Sequence, residues 1–388
     1  MKKSVLSIIP ALFLSIILSS HKNLECSNTT TLANKKTTNK IPVINMPDDQ
    51  NDGPYVQYKN DQVLAKYIIQ ANGQKIVRTD SVAASQKNSL SLKVGTDVPG
   101  EFFQVQLKQQ LQDEKSEYKK VDKLFVLSDI EGNFTAFKKL LQGNGVIDSN
   151  YNWSFGKGHL VLVGDFFDRG EMVTEVLWLI YSLEEKAKAA GGYVHYILGN
   201  HEIMNLSGDL RYVRPKYLNN ATILNEKYES MFNESTELGR WLRTKNVVEK
   251  INNIVFTHGG ISADMNRMEL DIADINKMAR PFYADSTYKY PNSQTEIIYS
   301  DLGPFWYRGY YTGNDKITSS QIDSSLSLFN IRHIVTGHTI VADTISVWYG
   351  GRILNTDVHH AEGKSEALFI EDNKYYRVNA DGKKMLLL

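Results

Sequence analysis

Five times between residues 124 and 335 a short apolar run breaks off into a polar cluster. The runs are 124–127 before SDIEGN, 160–163 before GDFFDRG, 194–198 before GNHE, 254–256 before THGG and 334–335 before TGHT. Short apolar runs closed by turn-forming residues read as buried strands. Between them the period changes. Phe134, Phe137, Leu140 and Leu141 fall at helical spacing after Gly132-Asn133, as do Val173, Val176, Leu177, Ile180, Leu183 and Ala187 before Gly191-Gly192. Strand, helix and strand in succession predict parallel pairing through crossover connections. In open α/β sheets ligands bind beyond the carboxyl ends of the strands, which is where each polar cluster here begins.

Upstream the pattern is different. Stretches at 55–58, 63–69, 75–79, 89–94 and 102–107 are separated by turn signals at Asn72-Gly73, Gly95 and Pro99-Gly100, which predicts a small β-rich domain over 52–120. Its last part, 108–120, reads as a charged helical connector into a main domain over 121–388. Within that domain the insert 207–250 reads as helical, from Tyr228, Met231 and Phe232 and from Leu238, Trp241 and Leu242. The segment 279–313 mixes Tyr, Phe and Trp with Gly and Pro and reads as loops. Its aromatics are expected to cap the core, with stacking on a substrate ring as the alternative.

The first residues have the parts of a secretory signal: Lys2 and Lys3, an apolar run at 5–18, then Ser19-Ser20;. A signal peptide over 1–20 and a polar, flexible tether over 21–51 are predicted. The apolar run is too short to span a bilayer comfortably. Cys26 is the only cysteine, which excludes an intrachain disulfide, and Leu24 two places before it resembles a bacterial lipoprotein box, although Glu25 stands where a small residue is expected;. Export to a bacterial periplasm is expected, as a soluble product or as a lipoprotein held to the membrane at Cys26. Membrane fractionation of the wild type and Cys26→Ser separates the two.

Composition narrows the chemistry. The 388 residues include 44 Lys+Arg and 44 Asp+Glu, a balance that gives no electrostatic footprint for nucleic acid;. The candidate residues are the polar ones at the five strand ends: Asp129, Glu131, Asp165, Asp168, Arg169, Asn200, His201, His258 and His338. Carboxylates, an amide oxygen and imidazoles suit two borderline divalent metals sharing one carboxylate. A single histidine is more often a packed or surface residue. Three at separate strand ends, beside glycine or asparagine, argue for ligands.

In this order DxE-G-N, GDxxDRG, GNHE, THGG and GHT resemble the five blocks of the calcineurin-like metallophosphoesterases of phosphoprotein-phosphatase type. GNHEIMNLSGDLRYV at 199–213 and GPFWYRG at 303–309 are further similar to the bacterial Shewanella-like phosphatase branch. The resemblance runs from about residue 122 to about residue 367. It implies an α/β fold with a central β-sandwich of mixed sheets flanked by helices, preceded by the small β-rich domain. It also implies site roles. Asp129 binds a first metal, Asp165 bridges, and Asn200, His258 and His338 hold a second. His201 is the proton donor, Asp168 orients it, and Arg169, Arg308 and Asn200 bind phosphate. The implied reaction is attack of a metal-bridging hydroxide on a phosphomonoester of a protein or small molecule. The implied cofactors are two divalent ions, Mn²⁺ first, with Mg²⁺, iron or Zn²⁺ as alternatives.

One position departs from the family. Its first block is DxH, whereas this chain has Asp129-Ile130-Glu131. A carboxylate there favours harder ions if Glu131 is a ligand; if it is not, the site is mononuclear. Two other functions fit part of the pattern. A nucleotide or sugar-nucleotide phosphohydrolase would use the same centre, and a non-catalytic binding module would carry a degenerate one. Asp168, His201 and Arg169 argue against the binding module, because binding alone has no use for a positioned acid.

Overall fold

The computed structural model describes residues 52–313 and 316–388, so the predicted signal, the tether and Cys26 lie outside the described residues. The chain opens with β1 (Asp52–Lys59), β2 (Gln62–Ala71) and β3 (Gln74–Ala83), an antiparallel sheet, followed by the hairpin β4 (Ser91–Gly95) and β5 (Phe102–Gln106). The expected β-rich region is therefore present. Asn72 and Gly73, at φ 51° and 78°, make the two-residue turn between β2 and β3; left-handed conformations at both positions match the twist of the flanking strands.

The next elements alternate: β6 (Glu117–Tyr118), β7 (Lys123–Leu127), α1 (Phe134–Gly143), β8 (His159–Val163), α2 (Val173–Ala189), β9 (Tyr193–Ile197) and α3 (Asn200–Ser207). Then come α4 (Pro215–Ile223), α5 (Glu237–Leu242), β10 (Val248–Ile251), β11 (Ile254–Thr257), α6 (Ala263–Arg267), α7 (Ile272–Ala279), α8 (Ser293–Tyr299) and α9 (Ser319–Leu328). The chain closes with β12 (His333–Thr336), β13 (Ser346–Trp348), β14 (Ile353–Asn355), β15 (Glu366–Glu371), β16 (Lys374–Asn379) and β17 (Lys384–Leu386).

Two six-stranded mixed sheets form the centre, ordered β17-β16-β15-β7-β8-β9 and β13-β14-β12-β11-β10-β6. β7, β8 and β9 are parallel neighbours, as are β11, β12 and β14. Alternate side chains serve different cores. Leu124, Val126, Val161 and Val163 cluster with Ile254, Phe256, Val335 and Leu354 of the other sheet. Phe125, Leu127, Leu160 and Leu162 cluster with residues of α1 and α2. Burial on both faces is why these strands read as unbroken apolar runs, and each such side chain contributes about 1.5–3 kcal/mol. The fold class is the sandwich of mixed sheets flanked by helices.

The connector differs from its reading as a helix. Residues 108–116 are irregular and lead into β6, which pairs parallel with β10. Its charges are not a solvated helical face. Lys108 Nζ binds Glu184 Oε2 at 2.5 Å, and Lys245 Nζ binds Glu184 at 2.7 Å and Glu114 at 2.9 Å. The insert is helical only in part, since β10 begins at its end. In 279–313, α8 interrupts the loops, and Phe305, Tyr307, Tyr310 and Tyr311 are buried, so these aromatics pack the core.

Candidate functional site

The strand ends converge on one edge of the sandwich, and their backbone is unusual there. Asp129, Glu131, Asp165, Asp168, Arg169 and His338 all have positive φ, between 48° and 68°. Left-handed non-glycine residues cost of order 1–3 kcal/mol each and persist where surrounding structure fixes them. Here the fixing is a ladder between strand ends: Asp129 N donates to Gly164 O at 2.9 Å, Glu131 N to Asp165 O at 3.0 Å and Gly132 N to Phe166 O at 3.0 Å. Gly199 faces Asp165, and Gly337 faces Asp129, so closely that a Cβ on either would collide with the carboxylate.

The buried heart is Asp165 with His258 and His338, each offering a ligand atom within 4.8 Å of the others. His258 Nδ1 donates to Val163 O at 2.7 Å, which turns Nε2 towards Asp165 Oδ2 at 2.9 Å and Asn200 Oδ1 at 3.0 Å. His338 Nε2 donates to Trp306 O at 3.1 Å, and its backbone N–H approaches Asp129 Oδ2 at 3.2 Å. Outer hydrogen bonds of this kind orient imidazoles for a cation. Electrostatics agree. Burial opposes charge on Asp165, but His258 and His201 outweigh it and hold the carboxyl well below the usual range. Burial works against His258 as well, yet Asp165 and Asp129 raise it to about 10. Burial, with His258 and Arg308 nearby, keeps His338 neutral. Asp129 is lifted by burial to about 6. Oxygen and imidazole donors fixed in this way fit a divalent ion.

A second group brings Glu131, Asp165 and His201 within the same 4.8 Å. Glu131, however, also pairs with Arg169. His201 Nδ1 bonds Asp168 Oδ2 at 2.6 Å, and its Nε2 lies 3.8 Å from Asp165 Oδ2. Burial disfavours the imidazolium, but Asp165 and Asp168 more than compensate and raise its pKa. Arg169 is half-exposed, with its guanidinium 5.1 Å from the Tyr212 ring centre. Arg308 is exposed, and its Nη1 is pinned by His338 O at 2.5 Å and Thr339 Oγ1 at 3.1 Å. A cleft of about 710 Å³ is lined by Asp129, Asp165, His201, His338 and both arginines. Asn200 and His258 are buried behind this lining. All ten expected residues thus come together.

Three residues escaped the sequence reading. Glu202 is fully buried and accepts from Asp165 N at 2.9 Å, Phe166 N at 2.7 Å, Phe167 N at 3.4 Å, Gly199 N at 2.7 Å and Tyr196 Oη at 2.9 Å. It ties the loop after β8 to the start of α3. Its signal was a glutamate three places after the helix-capping glycine. Asp357 and His360 follow β14 and line the cleft. Ile353-Leu354 before NTDVHH is a sixth break of the same kind as the other five.

Residues 123–342 match the family model for calcineurin-like phosphoesterases. Shewanella-like protein phosphatase 1 of Plasmodium berghei (strain Anka) is 31% identical over 275 residues, 64% of this chain and 72% of that protein. The crystal structure of the cold-active protein-tyrosine phosphatase of a psychrophilic Shewanella species is similar at a TM-score of 0.79 and 34% identity, covering 88% of this chain and 100% of that one. A symmetrical bis(5'-nucleosyl)-tetraphosphatase of Buchnera aphidicola is 30% identical over 146 residues, 36% of this chain and 44% of that protein. With the family match spanning more than half of the chain, this protein belongs to the calcineurin-like phosphoesterases and is a hydrolase of phosphoric esters.

Proposed function

We propose that the protein is a metal-dependent phosphatase of phosphomonoesters, with phosphorylated proteins, phosphotyrosyl groups foremost, as the substrate class. The observation that carries this reading is His201, held by Asp168 at 2.6 Å and beside Asp165, on the wall of a cleft that also holds Arg169 and Arg308. The likeness to enzymes named protein phosphatases supports the substrate class.

Each side chain then has a task. Arg169 and Arg308 bind phosphoryl oxygens, for which a planar guanidinium is suited. Asn200, whose amide oxygen lies 3.0 Å from His258 Nε2 behind the cleft lining, would serve the metal centre. His201, whose pKa Asp165 and Asp168 raise, gives its Nε2 proton to the departing oxygen, and Asp168 holds the ring in position. Asp129, Asp165, His258 and His338 would hold two divalent ions, Mn²⁺ first, with Glu131 as a further carboxylate. Such ions supply an acidified water and offset phosphoryl charge.

Release of para-nitrophenol from its phosphate with added Mn²⁺ tests the reading. Turnover is expected in the wild type and lost in Asp165→Asn, while His201→Gln lowers kcat by ~10²–10⁴. No turnover with any divalent ion would overturn it in favour of a binding module. Faster hydrolysis of nucleotides or sugar nucleotides than of phosphopeptides would overturn the substrate class.

A further inference from the structure

Asp357, just past β14, lines the cleft together with Asp129, Asp165 and His338, yet it is only 5% exposed. Its backbone N–H is satisfied by Asn355 Oδ1 at 3.0 Å. Its carboxyl group has no hydrogen-bond or ion-pair partner among the described residues. A buried carboxyl without a partner is costly, and native chains keep one where an ion or water completes it. His360, in the same segment, has its Nδ1 buried without a partner.

The surroundings indicate what completes Asp357. The charged groups facing it are Asp129, His258, Asp165 and Arg308, all at the cleft or directly behind it. Asp129, Asp165 and Asp357 together put three carboxylates into one cleft, and hard divalent ions take carboxylate oxygens. The segment has little freedom to move away. Asn355 Nδ2 donates to Thr339 O at 2.8 Å, Thr356 N to Thr336 O at 2.8 Å and His360 Nε2 to Ser128 O at 3.1 Å, while Thr356 Oγ1 lies 2.9 Å from Ser128 Oγ. These bonds fasten Asp357 to the two strand ends that carry Asp129 and His338. Glu131 lines the same cleft and is paired with Arg169.

We propose that Asp357 is a further carboxylate of the metal centre, serving the first divalent ion beside Asp129. The inference rests on the metal-dependent phosphatase reading above.

Mn²⁺ titration of the metal-stripped full chain, followed by calorimetry and by the Mn²⁺ paramagnetic resonance spectrum, tests it on the wild type and Asp357→Asn. Two ions are expected to bind the wild type. In the variant one of them is expected to bind ~10- to 100-fold more weakly, the range seen when groups supporting a metal site are removed. Asp357→Ser should weaken the same ion, which guards against a fault of one substitution. In EDTA both variants should melt no lower than the wild type, because each removes a buried carboxyl without a partner. A lower melting point in EDTA with unchanged Mn²⁺ binding would make Asp357 structural and overturn the proposal. Unchanged Mn²⁺ binding with weaker binding of inorganic phosphate would give Asp357 to the substrate and overturn it equally. A wild type that binds no divalent ion would overturn the phosphatase reading itself.

Discussion

Glu131 sits between two cationic claims. It is within metal-sharing distance of Asp165 and His201, and it pairs with Arg169, whose side chain is 49% exposed. A half-exposed ion pair is worth ~0–1 kcal/mol, so a divalent ion competes for the carboxylate on favourable terms. With an oxygen at this position the wild type should prefer Mn²⁺ or Mg²⁺ to Zn²⁺, and Glu131→His should shift the preference towards Zn²⁺. Metal-reconstitution assays of kcat/KM check this, and identical preferences in the two proteins would remove Glu131 from the ligand set. Asp165, His258 and His338 were legible in the sequence because each closes a strand end, where the fold delivers side chains to one edge. Glu202 was not. Its meaning depends on four backbone amides and a tyrosine hydroxyl brought to it by three-dimensional folding, and a one-dimensional pattern carries no trace of them. Asp357 escaped because its polar cluster, NTDVHH, repeats none of the other five even though the break before it is of the same kind.

At the scale of elements, strands buried on both faces were legible because nearly every position must be apolar. The connector was misread for the opposite reason. Lys108 and Glu114 look like a solvated face until Glu184 and Lys245 arrive from elements far along the chain. β8 carries a further consequence at its first residue. His159 Nδ1 lies 2.8 Å from His195 Nε2, and burial together with that neighbour pushes its pKa down to about 3. The unfolded chain takes up this proton near pH ~6.5. Because the folded pKa is the lower one, the stabilisation is fully present above pH ~6.5 and is lost as the pH falls towards 3. The melting temperature of the metal-free protein should therefore drop between pH 7 and pH 5. It should drop less steeply in His159→Gln, and equal slopes in scanning calorimetry would refute the assignment.

Across the whole molecule, the amino-terminal strands and the catalytic sheets share side chains rather than merely adjoining. Tyr55, Tyr67, Leu92 and Phe103 belong to the apolar cluster that holds α1 and α2, and Trp178 Nε1 donates to Pro54 O at 2.8 Å. Asp97, between β4 and β5, accepts from Thr135 Oγ1 at 2.6 Å and also binds Lys138, so this region fastens the first turn of α1 at the cleft. The sequence showed strands there but no chemistry, because their contribution is made through a neighbour's helix. Glu202 acts at the same scale. Amides held by a fully buried carboxylate cannot exchange with solvent until the sandwich itself opens. In deuterium-exchange mass spectrometry the loop at 165–167 should rank with the slowest strands, and it should become markedly faster in Glu202→Gln. A loop at the cleft that behaves as part of the protected interior has no local breathing of its own, so whatever adjustment accompanies ligand entry falls to the other segments that line the cleft.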